Sequence, residues 1–186
     1  MTRDPHFVFA ESLLEKLHIS SYIIDKPYEY ISSKIDLGLR AMLFGKENYS
    51  ELFLNSFSEV SDNVIYRFYD EYHCNYIFFK LPDETIERYF YIGPYLPALP
   101  GEEFLQKKAV SLELDELRKE QFFAYYRNLP VVEDENVLFC IADTLGSFVW
   151  GSADNFDVEY VNYEIPDRHK PVRNDSIFDT NITDPS

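Results

Sequence analysis

The sequence is poor in cysteine, glycine and basic residues, and each shortage excludes a class of protein. Its 186 residues include two cysteines, which cannot build a disulfide framework. Its six glycines are not spaced as GxGxxG or GxxxxGK, the loops that cradle phosphates. Seventeen basic and 33 acidic residues give a net charge of −16. Such a surface repels both nucleic-acid phosphates and an anionic membrane.

Long apolar runs and metal-ligand motifs are also missing from the sequence. No stretch approaches the roughly 20 apolar residues of a membrane span, and the N-terminus lacks the apolar segment of a signal peptide. CxxC and HExxH do not occur, so the sequence predicts neither a metal site nor a cofactor. Cys74 and Cys140 have aromatic or apolar neighbours, which favours buried thiols in a reducing compartment. We therefore expect a soluble, cytoplasmic protein.

Aromatic residues are plentiful and mark a folded chain. The sequence holds 15 tyrosines, 16 phenylalanines and one tryptophan, whereas disordered chains are poor in aromatics. Three apolar segments, 64–69, 76–81 and 88–92, have short connections and predict an antiparallel meander. These segments are apolar on both faces. We expect one face to meet helices and the other a ligand, a partner or a loop.

Helical periodicity appears on both sides of the meander. The clearest helix is predicted over 134–150, with Gly151 ending it. Further helices are predicted over 7–19, over 102–110 and from Leu114 to Leu129. The apolar stripe of the 134–150 helix should pack on the sheet, and it comprises Val137, Leu138, Ile141, Ala142, Leu145, Phe148 and Val149.

The remaining segments carry weaker signals. Short strands are predicted at 22–24 and 157–165, whereas residues 28–62 show no clean period. From Pro166 the chain becomes polar and proline-bearing, which is typical of a linker or disordered tail. The sequence therefore predicts one domain over 1–165 and a tail over 166–186.

Candidate catalytic groups are few. His73 and Cys74 could suggest a thiol nucleophile, but neighbours in a strand point to opposite sides. A packed cysteine beside a surface histidine is the favoured interpretation. Acidic clusters such as Asp115–Glu116 lie where turns and helix starts place solvated carboxylates. The sequence therefore predicts no catalytic residue.

Basic residues inside the apolar strands are the rarer observation. Arg67 and Arg88 need partners, because an unpaired buried charge is expensive. The partners could be the acids Asp70, Glu71 or Glu87, which is the favoured interpretation, or an anionic ligand. Aromatic side chains of the same strands could line a small-molecule site. The predicted ligand-binding set is Arg67, Tyr76, Phe78, Arg88, Phe90 and Tyr95.

Five short segments carry a family resemblance: 36–40 (DLGLR), 65–70 (IYRFYD), 74–83 (CNYIFFKLPD), 91–95 (YIGPY) and 125–132 (YYRNLPVV). They resemble the N-terminal sensor region of AraC-type transcriptional regulators. The resemblance implies a GAF- or PAS-like α+β domain with a central antiparallel sheet and flanking helices. It also implies a C-terminal pair of helix-turn-helix motifs that binds DNA, which is missing from this chain.

The resemblance implies a regulatory, non-enzymatic function. The domain would sense a small-molecule effector, or pair as a homodimer, and would reach DNA only through the missing C-terminal domain. The alternative is a protein–protein interaction module without a ligand, and a third hypothesis is a small enzyme with an unrecognised site. No ligand contact follows from the resemblance, because the effectors of the family vary.

Overall fold

The computed structural model describes residues 4–25, 35–44, 60–152 and 156–162. Helices and strands occupy most of these ranges. The helices are α1 (Pro5–Lys16), α2 (Leu39–Phe44), α3 (Glu102–Ser111), α4 (Glu116–Asn128) and α5 (Asn136–Trp150). The strands are β1 (Ser21–Asp25), β2 (Val64–Tyr69), β3 (Asn75–Leu81), β4 (Arg88–Tyr95) and β5 (Asp157–Asn162).

The strands form one five-stranded sheet in the order β1-β4-β3-β2-β5. The predicted meander is confirmed, because β3 pairs antiparallel with both β2 and β4. Strand β1 also pairs antiparallel with β4. The α+β class with flanking helices is confirmed too. The prediction of a purely antiparallel sheet is wrong, because β5 pairs parallel with β2. Helix α5 lies between the meander and β5 in the chain, and such a crossover allows the next strand to enter parallel.

One face of the sheet is an aromatic layer, which we call the α4 face. Tyr76 and Phe78 of β3 are completely or almost completely buried there, and their rings lie beside those of neighbouring strands. Phe122 and Tyr126 of α4 and Leu39 of α2 belong to the same buried cluster. Helices α2 and α4 therefore cover this face.

The opposite face, which we call the α5 face, is covered by α1 and α5. Ile77 and Phe90 of the sheet are fully buried there, together with Leu14 of α1 and Leu138 of α5. Strands buried on two sides have apolar residues at successive positions. This double burial explains why the predicted alternation was imperfect. Within the described residues both faces meet the protein's own helices, so the prediction that the second face would serve a ligand or a partner is not supported.

The boundary between α5 and β5 depends on two glycines. Gly151 ends α5 with a left-handed φ of +64°, as its position in the sequence predicted. A Cβ at Gly146 would lie 2.9 Å from the ring of Phe156, which is closer than real Cβ contacts allow. The missing side chain therefore lets the residue before β5 pack directly against α5.

Several predicted boundaries shifted by a few residues. Helix α1 begins at Pro5 because Asp4 caps it, accepting a hydrogen bond from the His6 backbone N–H. It ends at Lys16 rather than at Ile19. In the segment without a clean period, α2 begins directly after Gly38, whose φ is +87°. The predicted tail over 166–186 and the end of the predicted domain at 165 lie outside the described residues.

Candidate functional site

The structure divides the aromatic members of the predicted ligand-binding set between the two faces of the sheet. Tyr76 and Phe78 are buried on the α4 face. Phe90 and Tyr95 are buried on the α5 face. The sheet separates the two pairs, so the structure does not bring these four side chains together around one concavity.

Arg67, the fifth member of the set, forms an ion pair with a residue at the start of α5. One terminal nitrogen of its guanidinium lies 3.0 Å from Oε1 of Glu135. The same oxygen accepts a hydrogen bond from the Tyr95 hydroxyl at 2.9 Å and a longer one from Nδ2 of Asn75 at 3.4 Å. A single carboxylate therefore joins the N-terminus of α5 to β2, β3 and β4.

Arg88, the last member of the set, lies at the other end of the sheet. Its guanidinium is 3.0 Å from Oδ2 of Asp25 on β1 and 3.4 Å from Oδ2 of Asp83. Both arginines thus pair with acids of this chain, the interpretation that the sequence favoured. The acids themselves were predicted wrongly: the structure shows Glu135, Asp25 and Asp83 instead of Asp70, Glu71 and Glu87.

A buried ionic cluster connects α2 to the turn between β2 and β3. The Arg40 guanidinium lies 3.0 Å from Asp70 and 3.2 Å from Asp36, and all three residues are 2% exposed or less. Asp70 also accepts hydrogen bonds from the backbone N–H groups of Tyr72 and Cys74, at 2.9 and 2.8 Å. Burial raises the pKa of Asp36, and the charge of Arg40 opposes that rise. The cluster holds α2 on the sheet by charge-assisted bonds.

The His73–Cys74 pair does not form a catalytic dyad. Cys74 is completely buried, and burial raises the pKa of its thiol well above the usual range. A thiol with a raised pKa carries little thiolate, which is the nucleophilic form. His73 is half-buried, and its ring centroid lies 4.0 Å from that of Phe104. The favoured interpretation of a packed cysteine agrees with the placement of Cys74, although His73 is half-buried rather than at the surface. The prediction that both cysteines are buried is wrong for Cys140, which is exposed.

An apolar groove of about 440 Å³ lies between α1 and α5. Phe9 and Phe148 stand at its walls with 66% and 61% of their surface exposed. The His6 ring stacks on Phe148, with 4.5 Å between the centroids. Among the described residues that line the groove, His6 and Lys16 are basic and none is acidic. The volume falls in the range of ligand-binding pockets, and the lining is almost entirely apolar.

The groove follows from the width of the apolar stripe on α5. Leu138, Ala142 and Leu145 point to the sheet and are buried, as predicted. The prediction that the whole stripe packs on the sheet is wrong, because Val137 and Phe148 are exposed beside the groove. The facing wall of the groove is formed by α1 residues that recur at helical spacing, namely His6, Phe9, Leu13 and Lys16. The apolar stripe of α5 is wider than packing on the sheet alone requires. This width was the sequence signal for a second surface.

In ranges 4–25, 35–44, 60–152 and 156–162, no group of three or more His, Cys, Asp or Glu side chains could hold a metal ion. None of the described helices is both long and apolar enough to cross a membrane.

Comparison with known proteins gives no match: no protein-family model, curated protein or solved structure matches the chain. The groove offers apolar surface with two basic groups among its described lining residues, which is a composition typical of binding surfaces.

Proposed function

We propose that this chain is the regulatory domain of an AraC-type transcriptional regulator. It is a non-enzymatic, GAF/PAS-like domain that works in the cytoplasm, and it binds a small-molecule effector or pairs with a second copy. Its contact with DNA is made by a helix-turn-helix part outside this chain. The proposal is supported by the groove, which supplies a binding surface, and by the family resemblance of the segments quoted above.

The observation that carries the proposal is the double role of α5. One side of this helix packs on the sheet through Leu138 and Leu145, while its other side lines the groove. Glu135, directly before α5, accepts hydrogen bonds from groups on three strands. An occupant of the groove therefore contacts an element that is coupled to the sheet. A regulatory domain needs such an element, since an effector acts by favouring one of two conformations.

The alternative, an interaction module without a small ligand, is favoured by a different observation. Within the described residues the sheet is covered by helices on both faces, and the predicted ligand-binding residues divide between them. The walls of the groove are exposed to solvent at Phe9 and Phe148, whereas pockets for small molecules bury most of the ligand surface. A protein partner tolerates such an open surface.

A thermal-shift screen separates the two functions. The melting temperature is measured with each metabolite for three proteins: the natural sequence, Thr144→Trp and the control Leu117→Trp on α4. Thr144 is exposed and lines the groove, so its replacement by tryptophan fills the groove, whereas Leu117 is exposed and does not line the groove. An effector that binds the groove of the folded chain raises the melting temperature of the natural sequence and of the control. It does not raise that of Thr144→Trp, because the tryptophan side chain fills the groove. If no compound acts in this way, the interaction module replaces the sensor.

A gel-shift titration tests the second half of the proposal. The chain alone should not bind the DNA of its own promoter at physiological salt, because its net charge is −16. Salt-sensitive binding by residues 1–186 would contradict the assignment of DNA contact to another domain.

A further inference from the structure

We propose that the surface formed by α1 and α5 is the place where two copies of this chain pair. We call it the pairing surface, and its members are Phe9, Leu13, Leu17, Val137, Ile141 and Phe148. The inference rests on the proposed function and deepens it, because it names a second copy as the occupant of the groove.

The pairing surface carries both a recess and projections. The recess is the groove of about 440 Å³, and the projections are Phe9 and Phe148 at its walls. A two-fold interface uses the same patch on both copies, so the patch must be complementary to itself. A surface with a recess between exposed rings meets that condition, since the ring of each copy enters the groove of the other.

The exposed area of the pairing surface suits a stable dimer. Phe9 is 66% and Phe148 61% exposed, which leaves about 250 Å² of aromatic surface in water on each copy. A standard interface covers about 800 Å² on each partner, and its core is about 65% apolar. The two phenylalanines alone thus supply about half of the apolar area needed. Leu17 and Val137, 40% and 44% exposed, add to it.

Among the described residues, the groove lining lacks the acidic side chains that dominate the charge of the chain. Two copies with a net charge of −16 repel each other over most of their surfaces. The described lining of the groove holds two basic residues, His6 and Lys16, and no acid. Asp4, outside this lining, is hydrogen-bonded to Nδ1 of His6 at 2.8 Å. Pairing at this surface therefore places no acidic side chain of the described groove lining against the other copy.

The helices have a geometry that suits four-helix packing. The start of α1 lies beside the end of α5, as the stacked rings of His6 and Phe148 show. Lys16 and Leu17, at the end of α1, line the same groove as Val137 near the start of α5. The two helices therefore run antiparallel along the groove. Two such pairs, facing each other across a two-fold axis, form a bundle with an apolar seam.

Sedimentation equilibrium over a concentration series tests the inference. The natural sequence should form dimers, and Phe148→Lys and Phe9→Gln should each weaken the dimer by about 30-fold or more, as expected for a buried aromatic anchor. Leu117→Asp changes an equally exposed apolar residue in the first turn of α4 and should leave the dimer unchanged. Circular dichroism melts of each variant confirm that the monomer still folds.

The outcomes distinguish this inference from the proposed function. A chain that stays monomeric, or a dimer that both groove variants leave intact, would overturn the pairing surface. If that monomer is stabilised by a metabolite and Thr144→Trp abolishes the effect, the sensor function stands while the inference fails. A dimer that is lost in Phe9→Gln and Phe148→Lys supports the inference even when no metabolite binds.

Discussion

Replacing Arg40 by methionine should destabilise the protein more than a change at any exposed arginine. The side chain is 3% exposed and lies 3.2 Å from Asp36 and 3.0 Å from Asp70. Methionine keeps much of the volume but leaves buried carboxylates without this cation. Breaking a buried ion pair on one side is typically destabilising by about 3–5 kcal/mol. We expect that loss in the free energy of unfolding, and a melting temperature lower by about 10 °C.

The dependence on pH gives this prediction a second readout. Burial raises the pKa of Asp36 in the folded state, and the guanidinium holds that rise in check. A carboxyl whose pKa is raised by folding binds more protons when folded, so its contribution to stability falls as pH rises through the folded value. Without Arg40 the pKa rises further. The loss caused by Arg40→Met should therefore be larger at about pH 7 than at about pH 3, which lies below even the ordinary pKa of an aspartate.

Urea melts of a double-mutant cycle measure the coupling directly. The cycle combines Arg40→Met with Asp36→Asn, which removes one buried charge. The double variant should lose less stability than the sum of the single variants, by about 1–2 kcal/mol. Arg118→Met is the matched control, because the Arg118 side chain is 54% exposed and its guanidinium lies 4.0 Å from the Asp115 carboxylate. A loss below about 1 kcal/mol for Arg40→Met would refute the reasoning, because the cluster would then not hold α2 on the sheet.

Two further predictions concern α5 and the cysteines. Leu138→Ala should lower the free energy of unfolding by about 2–5 kcal/mol, because Leu138 is fully buried against the sheet. Ile141→Ala should lower it by about 1 kcal/mol, since Ile141 is half-buried beside the groove. Equal losses in a denaturant melt would contradict the division of the α5 stripe into two sides. In a thiol titration of dilute, monomeric protein with a disulfide reagent, Cys140 should react in the folded state and Cys74 only after denaturation, because Cys140 is exposed in the single chain and Cys74 is buried with a raised pKa. Two fast thiols in the folded protein would contradict the burial of Cys74.

The local structure of the chain was largely readable from neighbouring residues. Apolar segments with short connections predicted the meander, helical periodicity predicted α3 to α5, and Gly151 predicted the end of α5, because each signal lies within a short stretch of sequence. The favoured pairing of Arg67 and Arg88 with internal acids also followed from local chemistry, since a charge in an apolar strand needs a partner. These inferences required no knowledge of which elements meet.

The candidate site depends on contacts between residues far apart in the chain, which only the tertiary structure decided. Glu135 lies 68 positions from Arg67, and Arg40 lies 30 positions from Asp70, so no local pattern could select these partners. The parallel entry of β5 depends on how α5 crosses the sheet. The groove exists because α1 and α5 pack side by side and turn part of their apolar stripes away from the sheet. Sequence periodicity determined which side chains share a helix face, whereas packing determined which of those faces stayed open to water.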